Sequence, residues 1–218
     1  MAEPLTLSSL PLFPLGTVLY PGGLLPLRIF EVRYLDMIGK CHKLGAPFGV
    51  VALTQGSEVQ RPSDGPSGDA FANEAFHTVG TLATITEFSV PQAGLMVIRC
   101  TGAQRFCVTR SEKLKHGLWV ADVERLPNDQ VIRIPPDLQA VSNALGNLIK
   151  SLRTRDVPEE QMLLQPPYLL DDCGWVANRW CELLSLPLAH KQRLMELDNP
   201  LLRLELVSDM LERSGITK

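Results

Sequence analysis

The first half of the chain alternates short apolar runs of period two with turn residues, whereas apolar positions after about residue 135 recur with the helical period. "LPLFPL" and "LLPLRI" predict strands, and their prolines confine them to sheet edges or bends, because proline has no N–H to give a central ladder. "FEVRYLDMIGKCHKLG" then places Phe30, Tyr34, Met37 and Ile38 on one apolar helix face, which ends at Gly45 or before Pro47. Pro14, Pro21 and Pro26, with Gly16, Gly22 and Gly23, fix a bent path of low entropy that delivers Phe30 and Tyr34 to the core. That path leaves Arg28, Glu31 and Arg33 at a strand-to-helix corner.

"PFGVVALT" reads as a buried strand. The Gly-, Pro- and Ser-rich stretch after it cannot bury enough apolar surface to order itself, so residues 56–74 are expected to be mobile or held only by another chain. "HTVGTLATITEFSV", "AGLMVIRCTG", "AQRFCVTRSEKL" and "LWVADVERL" follow, parted by the turn-like "PQAG", "TGA" and "KHG". Four such segments in succession predict an antiparallel meander able to close into a small barrel. "LQAVSNALGNLIKSLRTR", "GWVANRWCELLSL", "PLAHKQRLMELD" and "NPLLRLELVSDMLERSG" predict four helices. The pattern therefore describes an α+β chain, with a β part carrying one inserted helix over 1–128 and a C-terminal α-helical bundle over 129–218.

Composition changes this picture little. A chain of 218 residues with 45% hydrophobic and 21% charged residues is an ordinary globular one, and a net charge of −3 gives no bias toward nucleic acid or anionic membranes. The start lacks the basic region of a signal peptide, and no apolar run approaches the ~20 residues that span a bilayer, so a cytoplasmic protein is expected. Five cysteines form no CxxC and have no histidine at zinc spacing; they read as reduced, buried small hydrophobes.

Candidate chemistry is sparse. Cys41 and His42 are adjacent on a predicted helix, where neighbours point about 100° apart and make no dyad. His42, His77, His116 and His190 are scattered singly, so neither a metal nor a cofactor is expected. Asp171 and Asp172 read as a helix N-terminal cap and not as paired catalytic acids. Arg105, Arg110, Lys113, Lys115 and His116 form the best local basic cluster, but Glu112 interrupts it and base-stacking aromatics are few. Trp175 and Trp180, five apart, do not share a tight helix face.

The ribbon "LPLFPLGTVLYPGGLLPLRIFEVRYLDMI", followed by "FGVV", "VGTLATI", "RF" and the late "LPLAHKQRLMELDNPLLRLELV", resembles the N-terminal domain of Lon proteases in a stand-alone version. The likeness runs from about Leu10 to Leu211. One departure is visible: the family commonly has proline after the glutamate, where this chain has Val32. No GxxxxGK[ST] phosphate cradle is present, so no ATP-driven protease activity is expected.

The resemblance implies a PUA-like antiparallel β pseudo-barrel with one inserted helix, then the helical bundle. It also implies a non-catalytic polypeptide-binding module for substrate recognition or adaptor work. Its implied partners are unfolded or degron-bearing polypeptides, with a protease as a further one; membrane and nucleic acid are not expected. The alternatives are a PUA-like RNA-binding module and a small-ligand-binding protein. The candidate peptide-binding residues are Leu25, Leu27, Arg28, Glu31 and Arg33, as a polar rim beside an apolar groove. The competing reading makes Arg28 and Glu31 a salt bridge or capping pair that pins the corner.

Overall fold

The structure, a computed structural model, describes residues 6–56, 74–155 and 164–217. The first of two units, Met1–Pro127, carries β1 (Thr6–Leu15), β2 (Leu24–Ile29), α1 (Val32–Leu44), β3 (Phe48–Gln55), β4 (Ala75–Phe76), β5 (Val79–Gln92), β6 (Leu95–Lys113) and β7 (Trp119–Arg125). The second, Asn128–Lys218, carries α2 (Gln139–Thr154), α3 (Cys173–Leu183), α4 (Leu188–Glu196) and α5 (Pro200–Arg213). The arrangement is α+β, with a mainly antiparallel sheet. Residues 57–73, most of the expected loop, lie outside the described residues.

The expectation of a sheet edge or bend for "LPLFPL" fits its prolines locally but not β1 as a whole, which has two partner strands. β1 pairs antiparallel with β7 through Leu12 and parallel with β3 from Leu12 onward. Pro11 is opposite Val120 of β7 and Pro14 opposite Val51 of β3, so each proline lies in a stretch paired on one side only. Its missing N–H can turn to the other side, and no ladder bond is lost. Leu10 and Leu12 enter one core cluster with Val51, Leu82, Phe106 and Val123, while Phe13 and Leu15 enter another with Leu25, Ile29, Tyr34 and Phe48. A continuous apolar run is what a strand buried on both faces requires.

The sheet runs β1-β7-β6-β5-β3-β4, with β2 added to β6. Three strands replace the four predicted β segments, because "AGLMVIRCTG" and "AQRFCVTRSEKL" are one 19-residue strand, β6. "TGA" is not a turn but the place where a turn docks. Tyr20-Pro21-Gly22-Gly23 forms a type II turn, with Gly23 N–H donating to Tyr20 O at 2.9 Å and Gly22 at φ 72°. Gly22 donates to Gly102 O at 2.7 Å and Gly102 donates to Gly23 O at 2.8 Å. A Cβ on Gly102 would stand 2.1 Å from Tyr20 O, so only glycine admits the turn.

α1 carries Tyr34, Met37, Ile38 and Cys41 into the core that Leu25 and Ile29 share. It ends at Gly45, φ 62°, where Ala46 N–H reaches Cys41 O and Gly45 N–H reaches His42 O, the double bond of a Schellman cap. Phe30 does not join this face: it is 55% exposed, which corrects the core position expected for it. The helix begins only at Val32, so Phe30 continues the β2 alternation, in which Pro26 and Arg28 face out while Leu25 and Ile29 face in.

In the second unit Asp172 caps α3, accepting from Trp175 N–H at 2.6 Å, and Asn199 caps α5 by accepting from Leu201 and Leu202 N–H. Trp180 is buried and donates to Val141 O of α2 at 3.1 Å, whereas Trp175 is half-buried, edge-on to Tyr168. Arg203 of α5 is the polar centre of this unit. Its Nε donates to Leu194 O at 2.9 Å and its Nη1 to Asn178 Oδ1 at 2.9 Å; Nη2 reaches Leu197 O, and both Nη atoms meet the Asp129 carboxylate. Among the described residues no helix is long and apolar enough to cross a membrane.

Candidate functional site

The strand-to-helix corner is built around Arg33. Glu31 takes the N-cap position of α1, yet its side chain makes no capping bond and instead accepts from Arg33 Nε at 3.1 Å. The Glu31 partner is therefore Arg33 and not Arg28, so the competing reading of an Arg28–Glu31 salt bridge or capping pair does not hold. The physical reason lies in alternation: Arg28 points out from β2, whereas Arg33, in the first turn of α1, turns inward. Its Nη1 donates to Gly117 O at 2.8 Å and its Nη2 to Glu74 Oε1 at 3.2 Å. The guanidinium lies 4.4 Å from the centroid of the Tyr34 ring, which stacks at 3.9 Å on Phe13.

Glu74 closes the network. Its Oε2 accepts from Trp119 Nε1 at 2.8 Å and stands 3.5 Å from Lys113 Nζ. Only 3% of its side chain is exposed, against 4% for Arg33, so both charges are buried and both are paired. Burial by itself pushes the Glu74 carboxyl up. The hydrogen bonds from Trp119 and Arg33 and the charges of Arg33 and Lys113 outweigh it, and hold the carboxyl below its ordinary value. Tyr34 beside them is pushed up chiefly by burial, so it stays a neutral phenol. Glu74, Lys113 and Trp119 carry no motif around them; they meet Arg33 only through the fold.

The five sequence candidates fall into two groups. Leu25 and Arg33 are buried and Leu27 is packed against the core, so their side chains hold the corner together. Arg28 is exposed and Glu31 is partly so. Beside them stand two apolar side chains open to water, Phe30 at 55% and Val32 at 82% exposure. Phe30 and Val32, which the candidate set lacks, lie between its polar members Arg28, Glu31 and Arg33.

Other candidate chemistry is dispersed or buried. Cys41 is buried with its thiol pushed up by burial, while the His42 ring stacks on Phe88 at 4.0 Å. The basic cluster does not form one face. Arg105 is buried, Arg110 lies 3.9 Å from Glu112, and Lys113 points at Glu74. Among the described residues no three His, Cys, Asp or Glu side chains gather as a metal would need.

A family model described as the ATP-dependent protease La (LON) substrate-binding domain matches residues 9–213. A Lon protease of Xanthomonas oryzae pv. oryzae is 26% identical over 206 residues, covering 93% of this chain and 23% of that protein. The chain thus spans about a quarter of that relative's length. The crystal structure of a Lon N-terminal domain protein from Xanthomonas campestris is 31% identical, with a TM-score of 0.69 over 93% of this chain and 98% of that one. The N-terminal domain of a Mycobacterium avium complex Lon protease, 16% identical with a TM-score of 0.51 over 92% and 96%, shares the fold. The similarity is to the substrate-binding domain and not to a protease domain.

Proposed function

Because the chain belongs to the ATP-dependent protease La (LON) substrate-binding domain family, we propose that it is a non-catalytic polypeptide-binding module that recognises unfolded or degron-bearing segments of other proteins. It serves substrate selection, either as an adaptor to a protease or as a recognition module. The parallel pairing of β1 with β3 supports reading the first unit as a closed PUA-like pseudo-barrel. The four helices of the second are read as a bundle.

One observation carries the proposal. Phe30 and Val32 expose apolar side chains at the corner where the family-like ribbon ends, and Arg28 stands beside them. Isolated apolar residues on a surface need no explanation, but two such side chains next to an exposed cation offer a place for an apolar, acid-bearing segment. Within the candidate set, Arg28 and Glu31 meet the client, and Leu25, Leu27 and Arg33 hold the corner in shape. RNA binding is the weaker reading, since within the basic cluster Arg105 is buried and Arg110 and Lys113 lie against carboxylates.

Fluorescence anisotropy with labelled, reduced and carboxymethylated α-lactalbumin tests this reading. The permanently unfolded form is expected to bind and the native form not to. Failure to bind the unfolded form, or equal binding of both, overturns it.

A further inference from the structure

Among the described residues β2 has a strand on one side only. Leu24–Ile29 run antiparallel to Thr101–Met96 of β6, and no second strand pairs with them among the described residues. Backbone N–H and C=O groups of a strand point alternately to its two sides, so half of those on β2 face away from β6. Such a row of donors and acceptors is complementary to the extended backbone of another polypeptide.

Two residues on this edge also restrict what can pair with it. Pro26 removes a backbone donor, and Arg28 sets a charge on the edge; both are devices by which proteins discourage indiscriminate strand pairing. Arg28 differs from its charged neighbours. Arg99, on the same face, holds Glu87 at 3.0 Å, and Arg33 holds Glu31 and Glu74. Arg28 has Val97 opposite it on β6 and no ion pair among the described residues. An uncompensated cation on a pairing edge repels most strands and favours one with an acid at that position. Phe30 and Val32 extend the edge as apolar ground directly after the strand.

We propose that β2 is a strand-addition site, taking an extended apolar client segment with an acidic residue opposite Arg28 and an apolar residue against Phe30 and Val32. This rests on the polypeptide-binding reading and specifies how the client is held: by its backbone first and by few of its side chains. Recognition of that kind accepts many sequences while still rejecting folded proteins, whose backbones are already paired.

The test uses a fluorescein-labelled synthetic peptide alternating valine with threonine and glutamine, with one central glutamate. Two further versions are N-methylated on alternate residues, in complementary patterns. Only one pattern removes the donors that face β2, so it is expected to weaken binding about tenfold or more, roughly the loss of two net hydrogen bonds, while the other binds like the parent. Replacing Arg28→Glu, with an unchanged melting temperature as the check on folding, is expected to reverse the preference between the glutamate peptide and its lysine counterpart. Equal binding of all three versions, or indifference to the Arg28→Glu charge, overturns strand addition while leaving a side-chain groove for clients. Lack of binding by the parent peptide in a protein that still binds carboxymethylated α-lactalbumin overturns strand addition alone. Loss of both overturns the polypeptide-binding reading as well. Self-association through β2, seen as a dimer in sedimentation that the peptide does not dissociate, also overturns it.

Discussion

Arg33 and Glu74 stand 41 positions apart in the chain and meet at 3.2 Å, each almost wholly withdrawn from water. Removing one partner leaves the other as an uncompensated buried charge, so Glu74→Ala is expected to cost about 3–5 kcal/mol. Glu74→Gln keeps the shape and part of the bonding and is expected to cost less. Urea unfolding measures both. The depressed carboxyl also sets a pH dependence. The unfolded chain binds this proton near the ordinary value of 4.5 and the folded chain only at lower pH, so this contribution is full above 4.5 and fades as pH falls below it. In Glu74→Gln that part of the acid sensitivity is expected to vanish. An unchanged acid limb in the variant would mean that other carboxylates dominate.

How much of this was legible follows from where the determinants lie in the chain. The α1 stripe and its Gly45 cap are local, and periodicity with one glycine was enough to place them. The same is true of Asp172 as a cap. β1 misled because two local signals conflicted: proline argues for an edge and a continuous apolar run argues for burial on both faces. Burial prevailed because the strand changes partner near Leu12. The candidate site was half legible. Arg28, Glu31 and Arg33 could be singled out, but Glu74, Lys113 and Trp119 are joined to Arg33 only by tertiary structure. Arg203 did leave a signal, since it lies three after Pro200 and four before Val207 on the buried stripe of α5, where a charge must have partners.

Those partners make Arg203 a sharp test of the second unit. The guanidinium satisfies Leu194 O, Leu197 O, Asn178 and Asp129 at once, which the single ammonium of lysine cannot reproduce in that geometry. Arg203→Lys keeps the charge and is nevertheless expected to lose about 2–4 kcal/mol, because buried acceptors go unpaired. Hydrogen exchange should report the loss as faster opening of α4 and α5. Protection equal to the parent in both helices would show that the network is replaceable.

The cysteines give an independent probe of the first unit. Burial, with Cys41 nearby, pushes the Cys100 thiol up to about 12, and Cys41 is raised by burial too. Cys107 is half-buried and is expected to be the first of the three to react with iodoacetamide under native conditions. The raised value means that the folded chain keeps the Cys100 proton where the unfolded chain releases it. Its contribution is therefore full below about pH 9 and is lost as pH climbs from there toward 12. Replacing Cys100→Ser should flatten that alkaline slope. Native-state labelling of Cys100 as fast as Cys107 would contradict its burial.

The corner itself separates architecture from binding, because its residues differ so sharply in exposure. Leu25→Ala removes a buried side chain and is expected to cost about 2–5 kcal/mol, while the folded fraction keeps its affinity for carboxymethylated α-lactalbumin. Phe30→Ser, Val32→Ser and Arg28→Ala alter exposed side chains, so stability should stay within about 0.5 kcal/mol of the parent. If these side chains meet the client, each should weaken binding several-fold, and Phe30→Ser with Val32→Ser together by about tenfold, more than 1 kcal/mol. Urea unfolding and anisotropy on the same preparations keep the two effects apart, since a variant that merely unfolds lowers the active fraction and not the affinity. Full affinity in all three exposed variants, with the fold intact, would move the site away from the corner. The half-buried Trp175 with its Tyr168 neighbour would then be the next aromatic surface to replace.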